Sequence, residues 1–285
     1  VPQLVLTVGR VGLSRSILRM IAAADLHVAV TTHPEWSDPT RSADVVVASV
    51  PLPPTQAEID ESWLESWQNA DVLAAAAIET ALEVQPAELT GMHVARIAAA
   101  CVPDGGLLYL GASSSVRHVE AFAANTVQDA VILGNRGTSG IDGTVSSAWG
   151  GAGAMALLGD QAFLYDSNGL LAPADEERPD LVLVVVDNDG GGIFSTLEQG
   201  APEYADTFER VFGVPLGIDL VHLALTLGIP AERVDTADRL RAAIDEAIGL
   251  GGVRVVVART CARDREAQLL ADVRAAVGTA ISGSR

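Results

Sequence analysis

Lysine does not occur in this sequence: all 18 of its basic residues are arginine. A Schiff-base lysine, a pyridoxal lysine and a P-loop lysine are therefore excluded together. Cysteine is nearly absent too. Cys101 and Cys261 form neither a CxxC pair nor a zinc spacing, which points to reduced thiols in a cytoplasmic protein. The five histidines (His27, His33, His93, His118, His222) show no HxxxH pattern, so none is a candidate metal ligand. Positive charge is scarce against 37 acidic residues, and a net charge of −19 makes nucleic acid and anionic membrane surfaces poor partners. Long apolar runs are missing as well. Gly, Asp or Arg interrupts each one well short of a membrane span, and the amino terminus shows no secretory signal. With no initiator Met and a strand almost at once, the chain is expected to begin inside a longer protein.

What is present is apolar and small. Hydrophobic residues make up 49% of the 285, with mean hydropathy +0.30, enough for one large domain or two modest ones. Apolar periodicity predicts strands over 4–9, 27–31 and 45–47 and a helix over 13–24, too few elements for a full domain. Pro51-Leu52-Pro53-Pro54 reads as a linker. Thr55-Gln56-Ala57-Glu58 has capping-box spacing and opens a long helical stretch to about residue 84. Beyond it the pattern alternates. Strands are expected over 107–110, 130–133, 155–159, 181–186, 233–234 and 253–258. Helices are expected over 93–100, 116–123, 142–149, 167–171, 237–248 and 265–277. Repeated βα units predict an α/β, doubly wound, mostly parallel six-stranded sheet with helices on both faces. A polar stretch over 195–215 is long enough to be a mobile cover.

Two strand ends carry the chemistry. Leu181 to Val186 is a run that ends in Asp187-Asn188-Asp189-Gly190-Gly191-Gly192, and the strand before it ends in Gly159-Asp160. Asp160 and Asn188 lie 28 positions apart, about one βαβ unit, so a right-handed crossover sets them side by side. Ligands bind at such strand ends in open parallel sheets. A carboxylate, an amide oxygen and a carbonyl in a glycine turn are hard oxygen ligands, the set magnesium prefers when it also holds a diphosphate.

Gly159-Asp160 with Asp187-Asn188-Asp189-Gly190 resembles the diphosphate-binding motif of thiamin-diphosphate enzymes. Three further segments narrow the resemblance: Asn135-Arg136-Gly137-Thr138-Ser139-Gly140-Ile141-Asp142-Gly143, Gly111-Ala112-Ser113-Ser114-Ser115-Val116-Arg117 and Gly190-Gly191-Gly192-Ile193-Phe194. Together they look like the 2-succinyl-5-enolpyruvyl-6-hydroxy-3-cyclohexene-1-carboxylate synthase family of menaquinone biosynthesis, carboxyl-terminal half. The resemblance implies a thiamin-diphosphate-binding fold: residues 1–54 as part of the central α/β domain with its linker, and 55–285 as the diphosphate-binding domain. By the same resemblance the pyrimidine-binding domain, with the Glu that activates the cofactor, is expected to be absent from these residues. The implied cofactors are thiamin diphosphate and Mg2+ (or Mn2+), the metal held by Asp160, Asn188 and the Gly190 carbonyl. Ile141 matches the apolar wedge under the cofactor, with Gly159, Gly191, Ile193, Phe194 and Leu197 also against it. Ser113, Arg117 and Arg136 match residues that hold substrate carboxylates, a task suited to a guanidinium fork.

The implied activity is decarboxylation of 2-oxoglutarate and addition of the resulting carbanion to isochorismate, in a homodimer or homotetramer of full-length chains. On this reading the 285-residue chain is inactive alone. His118 and Asp189 read as structural. The segment between Ala148 and Ala156 is shorter than the family pattern, and Gln161 and Asp187 depart from it without removing a ligand. Two alternatives remain: another thiamin-diphosphate decarboxylase or carboligase, and a non-catalytic module that binds the cofactor or a metabolite. A nicotinamide-dinucleotide fold fits worst, since no GxGxxG follows the first strand.

Overall fold

The computed structural model describes residues 2–9, 11–12, 14–33, 38–50, 61–83, 88–123, 130–135, 140–151 and 154–283. The capping box and the proline linker lie outside them. Two compact units divide between Trp67 and Gln68. The first holds a parallel three-stranded sheet, β1 (Leu4–Val8), β2 (Leu26–Val30) and β3 (Val45–Val47), with α1 (Arg15–Ala22) between the first two strands. Ser14 caps α1 by accepting from Ile17 N, which starts the helix two residues later than its apolar pattern does.

The division falls within α2 (Glu61–Glu83), after which come α3 (Gly91–Cys101), β4 (Leu107–Leu110), α4 (Ser114–Phe122), β5 (Val131–Gly134) and α5 (Thr144–Gly150). Then follow β6 (Ala154–Gly159), α6 (Asp160–Tyr165), β7 (Leu181–Asp187), α7 (Ala205–Phe208), α8 (Leu220–Thr226), β8 (Ala231–Val234), α9 (Ala237–Leu250), β9 (Val253–Arg259) and α10 (Arg263–Ser282). Six of these strands form a sheet in the order β5-β4-β6-β7-β9-β8, and every pairing in it is parallel.

Both faces are covered, because the run on β7 is apolar at every register. Val182 and Val184 pack with Met155, Leu157 and Val256 under α3 and α9. Leu181, Leu183 and Val185 pack on the other face with Leu158, Val255, Phe163 and Leu220. The period of two puts alternate residues into separate cores, the doubly wound arrangement expected of such a run. Each buried Val or Leu contributes about 1.5–3 kcal/mol. The chain turns left from β4 to β5 and right from β6 to β7, so the order reverses between β4 and β6, where open sheets leave a crevice at their carboxyl ends.

The expected helix over 167–171 is a 3-10 turn (Ser167–Leu170), and the helix that crosses this face starts directly at Asp160. The stretch over 195–215 is built of short helical turns rather than open loop. Among the described residues no helix is long and apolar enough to cross a membrane.

Candidate cofactor and metal site

The strand ends at the reversal converge on one cavity of about 670 Å³. From β4 the chain passes through Ser113, whose φ of 74° is a strained left-handed backbone for a serine. Such strain points to a functional position when the surrounding structure enforces it. Arg117, one turn into α4, turns its guanidinium back and donates to the Ser113 carbonyl at 2.6 Å. After β5, Asn135 donates through Nδ2 to the Gly143 carbonyl (3.3 Å) and Ser147 Oγ (3.2 Å), tying that loop to α5. Ile141, in the same loop, lines the cavity.

Asp160 follows β6 directly, as the first residue of α6, and is buried. Its Oδ1 accepts from Gln161 N and its Oδ2 from Gly190 N, both at 2.7 Å, so the carboxylate links the ends of β6 and β7. Burial pushes its pKa up to about 6, against the pull of those two N–H groups; the nearby Asp187 and Asp189 carboxylates add to the rise. The Asn188 side-chain Oδ1 is buried and has no hydrogen-bond partner. That is the condition of an oxygen awaiting a donor or a cation. The Gly190 carbonyl accepts from Gly192 N at 2.9 Å and keeps a second lone pair. One carboxylate, one orphaned amide oxygen and one carbonyl thus fit a hard divalent cation that also holds phosphate oxygens. Among the described residues no group of three ionisable ligands exists, as expected where only one of the three donors is charged.

Gly190 has φ 139°, and a Cβ there would lie 2.0 Å from the Gly213 carbonyl oxygen. Gly190→Ala is therefore expected to lower stability by about 3 kcal/mol, from backbone strain and overpacking together. A denaturant midpoint matching the wild type would rule this out.

Ser113, Arg117, Ile141, Gly159, Asp160, Asn188, Gly190, Gly191, Ile193, Phe194 and Leu197 all line this one cavity. Arg136 lies outside the described residues. Ile193, Phe194 and Leu197 form the apolar wall, with the Phe194 ring 5.5 Å from that of Phe212. Asp187 is paired with Arg259 at 3.0 Å, and Gln161 reaches the Gly213 and Val214 carbonyls.

Sequence reasoning missed Gly91 and Glu266 and read His118 as structural; all three also line the cavity. Glu266 Oε1 accepts from Gly91 N at 3.1 Å and stands 3.9 Å from His118 Nδ1. No local motif marks Gly91 or Glu266, which are 175 positions apart.

Residues 119–258 match the family model "Thiamine pyrophosphate enzyme, C-terminal TPP binding domain". The chain is similar to enzymes named 2-succinyl-5-enolpyruvyl-6-hydroxy-3-cyclohexene-1-carboxylate synthase. That of Thermobifida fusca is 44% identical over 290 residues, covering 98% of this chain and 50% of the relative. That of Saccharopolyspora erythraea is 40% identical over 284 residues, covering 97% and 50%. The chain thus spans about half the length of the curated relatives it matches. Among solved structures, a thiamin-diphosphate-dependent enzyme so described from Mycobacterium smegmatis aligns with TM-score 0.57 at 19% identity, over 90% of this chain and 49% of that one. Benzoylformate decarboxylase from Polynucleobacter necessarius aligns with TM-score 0.55 at 16% identity, over 92% and 49%. These two likenesses bear on the fold alone.

Proposed function

The chain belongs to the 2-succinyl-5-enolpyruvyl-6-hydroxy-3-cyclohexene-1-carboxylate synthase family, as its carboxyl-terminal half, and on that premise we propose that it is the diphosphate- and metal-holding half of a carboligase. Its reaction decarboxylates 2-oxoglutarate and joins the remainder to isochorismate. Thiamin diphosphate, when bound, supplies the carbon nucleophile that this chemistry needs. The observation that carries the reading is the buried, unpartnered Oδ1 of Asn188 on the same cavity wall as Asp160 and Gly190.

Asp160, Asn188 and the Gly190 carbonyl hold Mg2+ (or Mn2+), which offsets the diphosphate charge in a chain of net −19. Ile141, Ile193, Phe194 and Leu197 exclude water and hold the cofactor's rings against an apolar wall. Arg117, with Ser113 and with Arg136, takes the substrate carboxylates; both substrates are anionic, and a guanidinium binds a carboxylate through two parallel hydrogen bonds. Residues 55–285 act as the diphosphate-binding domain and 1–54 as the end of the domain before it. The pyrimidine ring and its activating Glu belong to a domain outside this sequence, so the working assembly is a cytoplasmic homodimer or homotetramer of longer chains, and this chain alone is inactive.

Calorimetry with thiamin diphosphate, before and after magnesium and then with excess chelator, tests the site. Magnesium-dependent heat that the chelator abolishes is expected. Addition of an amino-terminal half should then restore turnover of 2-oxoglutarate with isochorismate. Turnover of pyruvate in preference to 2-oxoglutarate would replace this reading with another thiamin-diphosphate decarboxylase.

A further inference from the structure

The turn that carries Asn188 and Gly190 is held in a costly conformation. Asp189 (φ 57°) and Gly190 (φ 139°) are consecutive residues with positive φ. Such backbone persists only where its surroundings over-determine it. Four ties can be named. Gly190 N donates to Asp160, Gly191 N donates to the Gly213 carbonyl at 2.7 Å, and Gly217 N donates to Asp189 Oδ1 at 2.9 Å. The fourth is Arg263, the first residue of α10, whose Nη1 donates to the carbonyls of both Asn188 (3.1 Å) and Asp189. Its Nη2 donates to Glu209 Oε2. The side chain is only 11% exposed, so these bonds are made largely out of water.

We propose that Arg263 is a positioning residue for the metal turn, and that through Glu209 it makes the segment 205–213 part of the same device. The inference rests on the reading of this turn as the cation site. Asn188 Oδ1 has no bond of its own, so the direction of that side chain is set by its backbone. Arg263 fixes that backbone by bonding carbonyls rather than the Asp160 carboxylate. A guanidinium paired with the Asp160 carboxylate would compete with a cation; one bound to carbonyls does not. Of the neighbouring carboxylates, Asp187 already has Arg259.

Glu209 closes the circuit. Its carboxylate lies against Gly213, where a Cβ would be 2.5 Å from Oε2. The Gly213 carbonyl in turn caps Gly191 and accepts from Gln161. Arg263, Glu209, Gly213 and Gly191 thus brace the metal turn from two sides. The segment 205–213 is anchored at the turn and is not a free cover.

The test is Mn2+ titration of the full 285-residue chain in excess thiamin diphosphate, followed by the paramagnetic resonance of free Mn2+. Outer residues that orient metal ligands typically change affinity by about 10–100-fold. Arg263→Lys keeps the charge but cannot bond two carbonyls and a carboxylate in a fixed plane. It is expected to weaken Mn2+ by that factor, and Arg263→Gln by at least as much. Glu209→Ala should weaken it in the same direction by a smaller factor. A purely structural role would lower the melting temperature and leave the affinity of the folded protein unchanged, so unchanged Mn2+ binding in Arg263→Lys overturns the inference. If neither Arg263 variant folds, Glu209→Ala decides, because its side chain is 60% exposed. Wild-type affinity in that variant overturns the proposal. Failure of the wild type to bind Mn2+ sinks the metal-site reading and this inference together.

Discussion

Asp160→Ala is expected to abolish magnesium-dependent binding of thiamin diphosphate while leaving the sheet folded. The carboxylate is the one charged member of the donor set, so its removal leaves two neutral oxygens to hold a divalent ion. Residues that only orient ligands cost about 10–100-fold in affinity, and the loss here should exceed the upper end of that range. The fold should survive because the stability changes oppose each other. Alanine strands the N–H groups of Gln161 and Gly190, which lose their 2.7 Å acceptors, at about 1–3 kcal/mol each when buried. Against this, a carboxyl whose pKa has been pushed up to about 6 is already costly to keep ionised at neutral pH, and alanine removes that cost. Calorimetry and a thermal melt on the same sample separate the two effects. Undiminished magnesium-dependent heat in Asp160→Ala would place the metal elsewhere.

The sheet was legible because its signal is local. The β7 run ends where Asp187-Asn188-Asp189 begins, and the same pattern fixes both cores through alternate residues. Asp160 and Asn188 could be paired from one βαβ length, since parallel strands in register bring consecutive strand ends together. Helix α6 was not legible: Gly159-Asp160 reads as a strand end, and nothing in Gln161-Ala162-Phe163 separates a short helix from a loop. The 167–171 stretch failed for a related reason, as four residues are too few to tell 3-10 from α. Arg263 and Glu266 were invisible because their partners are side chains or carbonyls far along the chain. No periodicity or motif encodes a contact from α10 to Asn188 or to Gly91.

Glu266 and His118 give the second large effect, a stability that depends on pH in opposite senses when each is removed. At 3.9 Å they stand close enough for an ion pair, yet burial disfavours charge on either one. Burial pushes Glu266 up to about 7, although Gly91 N pulls the other way, and holds His118 down to about 4. Desolvation prevails because both side chains are nearly enclosed and Glu266 Oε2 has no donor to favour its ionised form. Relative to an unfolded value of 4.5, Glu266 binds its proton more tightly in the folded state. Its contribution is present below about pH 4.5 and is lost as pH rises through about 7. His118 does the reverse, since its folded state resists a proton that the unfolded chain binds at 6.5. Its contribution is present above 6.5 and lost as pH falls through about 4. Each arm is on the order of 3 kcal/mol at 1.36 kcal/mol per pKa unit, and in the wild type the two largely cancel where they overlap. Glu266→Gln leaves only the histidine arm, so stability should climb between about pH 4 and 6.5 relative to wild type. His118→Gln leaves only the glutamate arm, so stability should fall between about 4.5 and 7. Denaturant unfolding of the three proteins across that range gives the difference directly, because every other titrating group is common to them. Wild-type pH slopes in both variants would mean that burial shifts neither group between the folded and unfolded chains, and the opposed arms would not exist.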